Sequence, residues 1–295
     1  MQLSINNLSK TYSNGVKAIK NVSLTLNEGM FGLLGPNGAG KSSLMRTIAT
    51  LQEADEGSIY IDSIDVLKQK NAVRQMLGYL PQEFGVYPKI SAEQMLDHIA
   101  RLKGINNKGE RKELVGYLLD KVNLFKDKKK NLGTYSGGMK QRFGIAQALM
   151  GKPRLIIVDE PTAGLDPAER NRFYNLLSEI GENTIVILST HIVEDVSTLC
   201  SSFAIIYQGE VLYSGTPDDA VGQLNGRIYS RTISKSDLQT YRSNYKTVST
   251  QLKAGQLLIR ILADVNPGNG FLSAQPNLED VYFTHIGSKV DINTI

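Results

Sequence analysis

The sequence predicts an α/β fold built around a sheet of buried parallel strands. Short, continuous apolar runs recur along the first 220 residues, at 30–34, 155–158, 185–188 and 203–206. Such runs are typical of parallel strands that are buried on both faces, because these strands have no polar side. Helical patterns at 168–180 and 192–200 lie between the later runs. This alternation of strand and helix predicts that ligands bind at the carboxyl ends of the strands.

A glycine-rich loop follows the first of these runs and precedes a helical stretch that begins near Lys41. The loop consists of Gly35, Pro36, Asn37, Gly38, Ala39, Gly40, Lys41 and Ser42. Glycines let successive backbone N–H groups converge on phosphate oxygens, and a helix N-terminus adds its positive dipole end. We expect Lys41 to reach the β- and γ-phosphates of a nucleotide and the Ser42 hydroxyl to take one Mg²⁺ position. The structural alternative is an ordinary glycine-rich turn between a strand and a helix.

Two acidic residues end the apolar run at 155–158. Asp159 and Glu160 follow it directly, and a desolvated carboxylate is costly unless it meets a cation or a donor. After a phosphate-binding loop, this pattern favours a site in which Asp159 holds Mg²⁺ and Glu160 polarises the attacking water. A strand end followed by a helix cap is the alternative.

Composition narrows the class of protein. The chain has 295 residues, 41% of them apolar, and a net charge of only +4 with both signs interspersed. A dedicated nucleic-acid binder concentrates basic residues on one face, so we expect no nucleic-acid partner. The basic run at 126–130 is interpreted as a solvated loop, with contact to an anionic membrane or partner as the less favoured alternative.

Cysteine usage and hydropathy predict a cytoplasmic protein. Cys200 is the single cysteine, which excludes an intrachain disulfide and fits a reducing compartment. The first residues show no secretory signal, and the apolar runs are far shorter than the ~20 residues of a membrane-spanning helix.

Two composition changes divide the chain. Between the phosphate loop and the run at 155–158 lies a mostly helical region, about 84–150, with amphipathic stretches at 91–103 and 109–122. The second change comes near 216–226, after which strand patterns and a final helix indicate a small α+β appendage at 225–295. We therefore expect a main domain at 1–220 and a C-terminal accessory domain.

The segment Tyr135-Ser136-Gly137-Gly138-Met139-Lys140-Gln141-Arg142 carries a family resemblance. Ser-Gly-Gly opens a helix, and so provides a second anion-binding N-terminus within the chain. The segment resembles the signature sequence of the ATP-binding subunits of ABC transporters. Together with the phosphate loop and the paired acids, it extends this resemblance over about residues 1–220. In that family two subunits close head-to-tail, and Ser136, Gly137 and Gly138 would cover the ATP held by the other. Tyr135 and Met139 replace the usual leucine and glutamine.

The resemblance assigns roles to further residues, and each has a structural alternative. Tyr12 would stack on adenine, Gln82 would sense Mg²⁺ and the γ-phosphate, and His191 would contact the γ-phosphate. Their alternatives are strand packing, a polar loop residue and a satisfied structural histidine. Ala163-Gly164-Leu165-Asp166 resembles the loop that crosses the dimer interface, with a plain turn as its alternative. Ser43 completes the expected nucleotide-binding set.

The resemblance implies an ATPase subunit that dimerises around Mg-ATP and drives a separate membrane permease. The dimer would pair two identical chains or two related ones, peripheral on the inner face of the cell membrane. Residues 83–104 would receive the permease, and the tail around 278–283 resembles that of exporter-type subunits. A non-transport ATPase acting on ribosomes or DNA, and a regulator whose residues 225–295 sense a small ligand, remain as alternatives.

Overall fold

The computed structural model describes residues 1–82, 85–161, 166–180 and 183–287. The strands are β1 Gln2–Thr11, β2 Lys17–Asn27, β3 Gly29–Leu34, β4 Glu56–Ile61, β5 Ile64–Asp65, β6 Leu77–Leu80, β7 Leu155–Asp159, β8 Ile185–Thr190, β9 Ser202–Tyr207, β10 Glu210–Gly215, β11 Ile228–Ile233, β12 Thr247–Lys253, β13 Gln256–Leu262 and β14 Leu272–Ser273. The helices are α1 Lys41–Ile48, α2 Lys70–Met76, α3 Ala92–Leu102, α4 Lys108–Lys121, α5 Gly137–Ala148, α6 Pro167–Ile180, α7 Val193–Leu199, α8 Pro217–Gly222, α9 Leu238–Asn244 and α10 Leu278–Gly287.

A six-stranded sheet forms the centre of the molecule, in the order β10-β9-β3-β8-β7-β6. Its strands are parallel except β10, which pairs with β9 in the antiparallel sense. All residues of β7 and β8 are buried, as their continuous apolar sequences predict. The α/β fold expected from the sequence is therefore confirmed, and the antiparallel β10 makes its central sheet mixed.

A second, antiparallel sheet in the order β2-β1-β4-β5 covers one face of the central sheet. Between the two sheets lies a core that includes α1, with Leu44, Met45 and Ile48 almost inaccessible. β1 continues past Asn7, which adopts a positive φ, because its pairing with β2 resumes at Leu8 beyond a register shift. β4, β5, α2 and β6 were not predicted.

Helices α3, α4 and α5 pack on the opposite face of the central sheet, within a single apolar cluster. α3 begins with a capping box in which Ser91 and Gln94 bond each other's backbone N–H groups, as this pair of residue types favours. None of the helices in the described part of the chain is long and apolar enough to cross a membrane.

The C-terminal residues form a four-stranded antiparallel sheet in the order β12-β13-β11-β14. Helix α10 then returns to pack against α7 and α8, and Val281, Tyr282 and Ile286 join the core that carries α3 to α5. The division between residues 1–220 and 225–295 remains a proposal, because the two parts share this core.

Candidate functional site

The glycine-rich loop connects the carboxyl end of β3 to the first turn of α1. Gly40 caps α1 with a φ of 106°, and a Cβ there would lie 2.3 Å from the Ala18 carbonyl oxygen. A Cβ on Gly35 would come equally close to the Ile206 carbonyl oxygen. Glycine is required at both positions because a side chain would clash with backbone, and at Gly40 the positive φ would also strain any L residue. The loop thereby presents the free N–H groups of a helix N-terminus.

Lys41 is buried beneath this loop. Its Nζ donates to the carbonyl oxygens of Gly35 at 2.7 Å and Pro36 at 3.1 Å. It also lies 3.5 Å from Glu160 Oε1, and the two side chains are only 4% and 9% exposed. Burial lowers the Lys41 pKa, while the Glu160 carboxylate acts in the opposite direction. The cation is thus held at the point where the phosphate-binding loop meets β7.

The two acids at the end of β7 are held by the neighbouring strand β8. Ser189 Oγ donates to Asp159 Oδ1 at 2.5 Å, and the Glu160 N–H donates to the Ser189 carbonyl at 3.1 Å. Glu160 has a φ of 45°, a conformation that L residues seldom adopt and that persists when its surroundings fix it. Sequence reasoning did not single out Ser189, although it directly precedes Thr190-His191 at the same edge of the sheet.

Gln82 and His191 converge on the carboxylate of Glu160. The Gln82 Nε2 donates to Glu160 Oε2 at 3.2 Å, and His191 Nδ1 lies 3.4 Å from the same oxygen. β6, β7 and β8 are adjacent in the sheet, so their carboxyl ends bring these three residues together from distant parts of the sequence. A buried carboxylate with polar neighbours at a strand end is a suitable site for general-base chemistry.

A cleft of about 790 Å³ opens over the loop. Its lining includes these predicted residues: Tyr12, Asn37, Gly38, Ala39, Gly40, Lys41, Ser42, Ser43, Gln82 and Glu160. The Tyr12 hydroxyl is 2.9 Å from Ser43 Oγ and donates to Gln52 Oε1 at 3.1 Å, which fixes the ring at one wall. Lys17, Lys20 and Gln208 also line the cleft but escaped sequence reasoning, because isolated polar residues near turns give no distinctive pattern.

The signature segment lies apart from this cleft. Ser136 caps α5 by accepting from the Met139 N–H at 3.2 Å and is exposed, and the described lining of the cleft includes neither it nor Gly137 and Gly138. Gly138 abuts Glu169, whose carboxylate would overlap any Cβ at that position. One chain therefore presents two separate helix N-termini suited to phosphate.

Tyr135 and Met139, the two departures from the usual signature, pack inward. Tyr135 is buried and its hydroxyl donates to the Asp127 carbonyl at 3.0 Å, while Met139 packs against the apolar cluster. Ser136 and Gly137 remain exposed beside them.

Asp166 caps α6, where its Oδ1 accepts from the Glu169 N–H at 2.8 Å. The rest of the predicted interface loop, Ala163-Gly164-Leu165, lies outside the described residues.

Comparison with known proteins identifies the family. A model of the ABC transporter family matches residues 19–163. The linearmycin resistance ATP-binding protein LnrL of Bacillus subtilis is 39% identical over 236 residues, which cover 79% of this chain and 75% of that protein. The chain belongs to the ABC transporter ATP-binding proteins. An uncharacterized ABC transporter ATP-binding protein of Bacillus subtilis, YxlF, is 34% identical and matches 92% of this chain and 90% of its own length.

Solved structures of ABC cassettes share the fold. The ATP-binding cassette MJ0796, in a dimeric post-hydrolysis state bound to ADP and phosphate, superimposes with a TM-score of 0.67 at 27% identity. The match covers 72% of this chain and 98% of that one. The protein is thus an ATP-hydrolysing subunit of an ABC transporter, as its resemblance implied.

Proposed function

We propose that two copies of this chain, or this chain and a related subunit, close head-to-tail around two ATP molecules. The separation of the two phosphate-binding elements carries this proposal, since Ser136 and its glycines do not line the cleft that contains Lys41. A second chain would bring its own α5 N-terminus to that cleft. Each triphosphate would then be matched from both sides by N–H groups and positive dipole ends.

Within the closed site, Glu160 would act as general base. A water molecule attacks the γ-phosphorus, its proton passes to the Glu160 carboxylate, and the bond between the γ-phosphorus and the bridging oxygen breaks to leave ADP and phosphate. Lys41 and His191 would match the negative charge of the γ-phosphoryl group, and Tyr12 would stack on the adenine.

The oxygen atoms around the acids suit Mg²⁺. The described residues contain no group of three or more His, Cys, Asp or Glu side chains that could hold a metal alone. Mg²⁺ typically takes only one or two carboxylates and completes its shell with water and substrate phosphates. Asp159, the Ser42 hydroxyl and the Gln82 amide oxygen would hold it. When bound, the ion neutralises charge on the β- and γ-phosphates.

The permease would dock on the surface around residues 83–104, of which 85–104 are described. Tyr87 is 63% exposed, and it lies five residues beyond Gln82 in the sequence. An exposed aromatic close in sequence to a residue of the ATP site is suited to fill a groove on a partner. The chain would then lie in the cytoplasm, on the inner face of the membrane.

Export is the direction we propose. The Bacillus subtilis relative LnrL is named as a linearmycin resistance protein. The Escherichia coli relative YbhF, which is 31% identical over 258 residues, is named as a probable multidrug transporter subunit that binds ATP. This chain covers only 43% of YbhF.

Disulfide crosslinking tests the head-to-tail dimer. Asn37 lies in the loop and Ser136 at the cap, so we expect Asn37→Cys and Ser136→Cys to crosslink between copies when ATP and Mg²⁺ are present. Cys200, the one native cysteine, is replaced by serine in this background, and the two single-cysteine variants are the controls. Absence of crosslinked dimer under every nucleotide condition would overturn the head-to-tail pairing of two copies of this chain.

Co-purification tests the permease surface. We expect Tyr87→Ala to reduce recovery of the membrane partner at least fivefold, because it removes an aromatic anchor. Tyr117, 60% exposed on α4, provides the matched control as Tyr117→Ala. Equal recovery with both variants would contradict the assignment.

A further inference from the structure

We infer that Asp195 is a positioning residue of this ATPase: through Thr190 it fixes the turn that carries His191. The inference rests on the γ-phosphate contact proposed for His191. Asp195 is fully buried on α7, four residues beyond the imidazole that it would hold in place, and no motif in the sequence points to it.

Thr190 connects Asp195 to the turn. Its Oγ1 donates to Asp195 Oδ2 at 2.7 Å and accepts the Ile192 N–H at 2.9 Å. The second bond joins the residue before His191 to the residue after it, and the first attaches Thr190 to α7. The N-cap position of α7 is occupied by Ile192, which offers no side-chain hydrogen bond, so the contacts of Thr190 are the side-chain bonds that hold this turn.

The position of the His191 imidazole depends on these two hydrogen bonds of Thr190. The His191 side chain is 45% exposed, and its described polar contact is the one to Glu160. Because few side-chain atoms surround it, the direction of the ring follows from where the backbone of the turn holds its Cα. A misplacement of about 1 Å at a reacting centre can reduce a rate ~100-fold.

The last two residues of β8 and the residue after them each contact a different carboxylate. Ser189 donates to Asp159, Thr190 donates to Asp195, and His191 approaches Glu160. Successive side chains of a strand point to opposite faces, so Ser189 reaches Asp159 on one face of the sheet while Thr190 reaches Asp195 on the other. His191 follows the strand and lies beside Glu160. Asp195 is therefore the anchor on the face away from the nucleotide.

A second buried bond to the same carboxylate supplies the matched control. The Tyr174 hydroxyl of α6 donates to the other carboxylate oxygen, Asp195 Oδ1, and not to a residue of the turn. Tyr174→Phe removes one hydrogen bond from Asp195 but leaves the bond to Thr190 in place. A purely structural role for Asp195 predicts that loss of either bond has the same effect on turnover.

Steady-state ATPase kinetics of the full chain test the inference. We expect Thr190→Val to lower kcat about tenfold with KM within twofold, while Thr190→Ser, which keeps the hydroxyl, and Tyr174→Phe stay within twofold of the wild type. In a His191→Ala background, Thr190→Val should have no further effect, because there is no imidazole to position. Should Thr190→Val not fold, Asp195→Asn weakens the same contact at unchanged size.

The outcomes separate this inference from the proposed role of His191. A wild-type kcat for Thr190→Val, or an equal fold-loss in both backgrounds, overturns the positioning role alone. A wild-type kcat for His191→Ala overturns the role of the histidine, and the positioning role with it.

Discussion

Lys41 and Glu160 form a buried ion pair, with Nζ 3.5 Å from Oε1. The pair joins the phosphate-binding loop to the acid at the end of β7, although 118 residues of sequence separate the partners. A buried ion pair stabilises little on its own, yet removal of one partner leaves an uncompensated charge. Each partner is therefore tested for its own function against a variant of the same residue type outside the site.

Glu160→Gln should bind Mg-ATP and hydrolyse it at least ~100-fold more slowly, because the amide cannot accept a proton from water. The stalled protein should accumulate as a closed dimer in size-exclusion chromatography with ATP. Glu179→Gln, which alters an exposed ion pair with Lys121, is the control and should keep wild-type turnover. Normal hydrolysis by Glu160→Gln would remove this residue from the role of general base.

Lys41→Ala should weaken nucleotide binding at least tenfold in calorimetry, because a charge that faces the phosphates is lost. Lys103 is the matched control: its partly buried Nζ donates to the carbonyls of Arg74 at 2.8 Å and Leu77 at 2.7 Å, and it does not line the cleft. Lys103→Ala should lower the free energy of unfolding and keep nucleotide affinity. Equal affinity in both variants would contradict the assignment of Lys41.

The buried Tyr174 makes the stability of the fold depend on pH in the alkaline range. Burial, followed by the hydrogen bond to Asp195, raises the Tyr174 pKa well above its ordinary value of 10.0. A phenol whose pKa is raised in the folded state contributes stability that is present below pH 10 and is lost as pH rises beyond it. Tyr174→Phe should be less stable than the wild type by about 1–3 kcal/mol at pH 8.

That difference should shrink by about 1.4 kcal/mol per pH unit above pH 10. Urea unfolding at pH 8 and at several values from pH 10 to 11 measures it, with the exposed Tyr87→Phe as the control. A constant difference across this window would contradict the buried, protonated phenol.

Arg260 and Asp280 attach α10 to the C-terminal sheet. The guanidinium donates to both carboxylate oxygens, at 2.8 and 2.6 Å, and Asp280 is only 1% exposed. Arg260→Ala should therefore destabilise the protein by about 3–5 kcal/mol, because a buried carboxylate loses its partner.

The exposed pair Arg227–Asp264, at 2.7 Å, is the control for this change. Arg227→Ala should cost less than about 1 kcal/mol, since solvent screens that pair. Chemical denaturation of both variants compares the two costs, and similar values would show that the Asp280 carboxylate is not desolvated in solution.

The elements that form through local interactions were predicted from the sequence, and those that depend on contacts between distant residues were not. The buried strands β3, β7, β8 and β9 were predicted because an apolar run is a local property. β4, β6 and α2 were not, because Leu77–Leu80 is short and becomes a strand only through its pairing with β7. The C-terminal sheet was predicted from alternation, but not the return of α10 onto α7 and α8.

By itself, the sequence determined the chemistry that this protein can perform: a lysine in a glycine-rich loop, two acids at a strand end and a Ser-Gly-Gly helix cap are contiguous patterns. Only the tertiary structure decided which side chains meet. Adjacent parallel strands place Gln82, Glu160 and His191 within hydrogen-bonding reach, and a short helix places Asp195 beneath the turn that carries His191. The physical reason is that strand order and helix packing depend on burial across the whole chain, which no local pattern specifies.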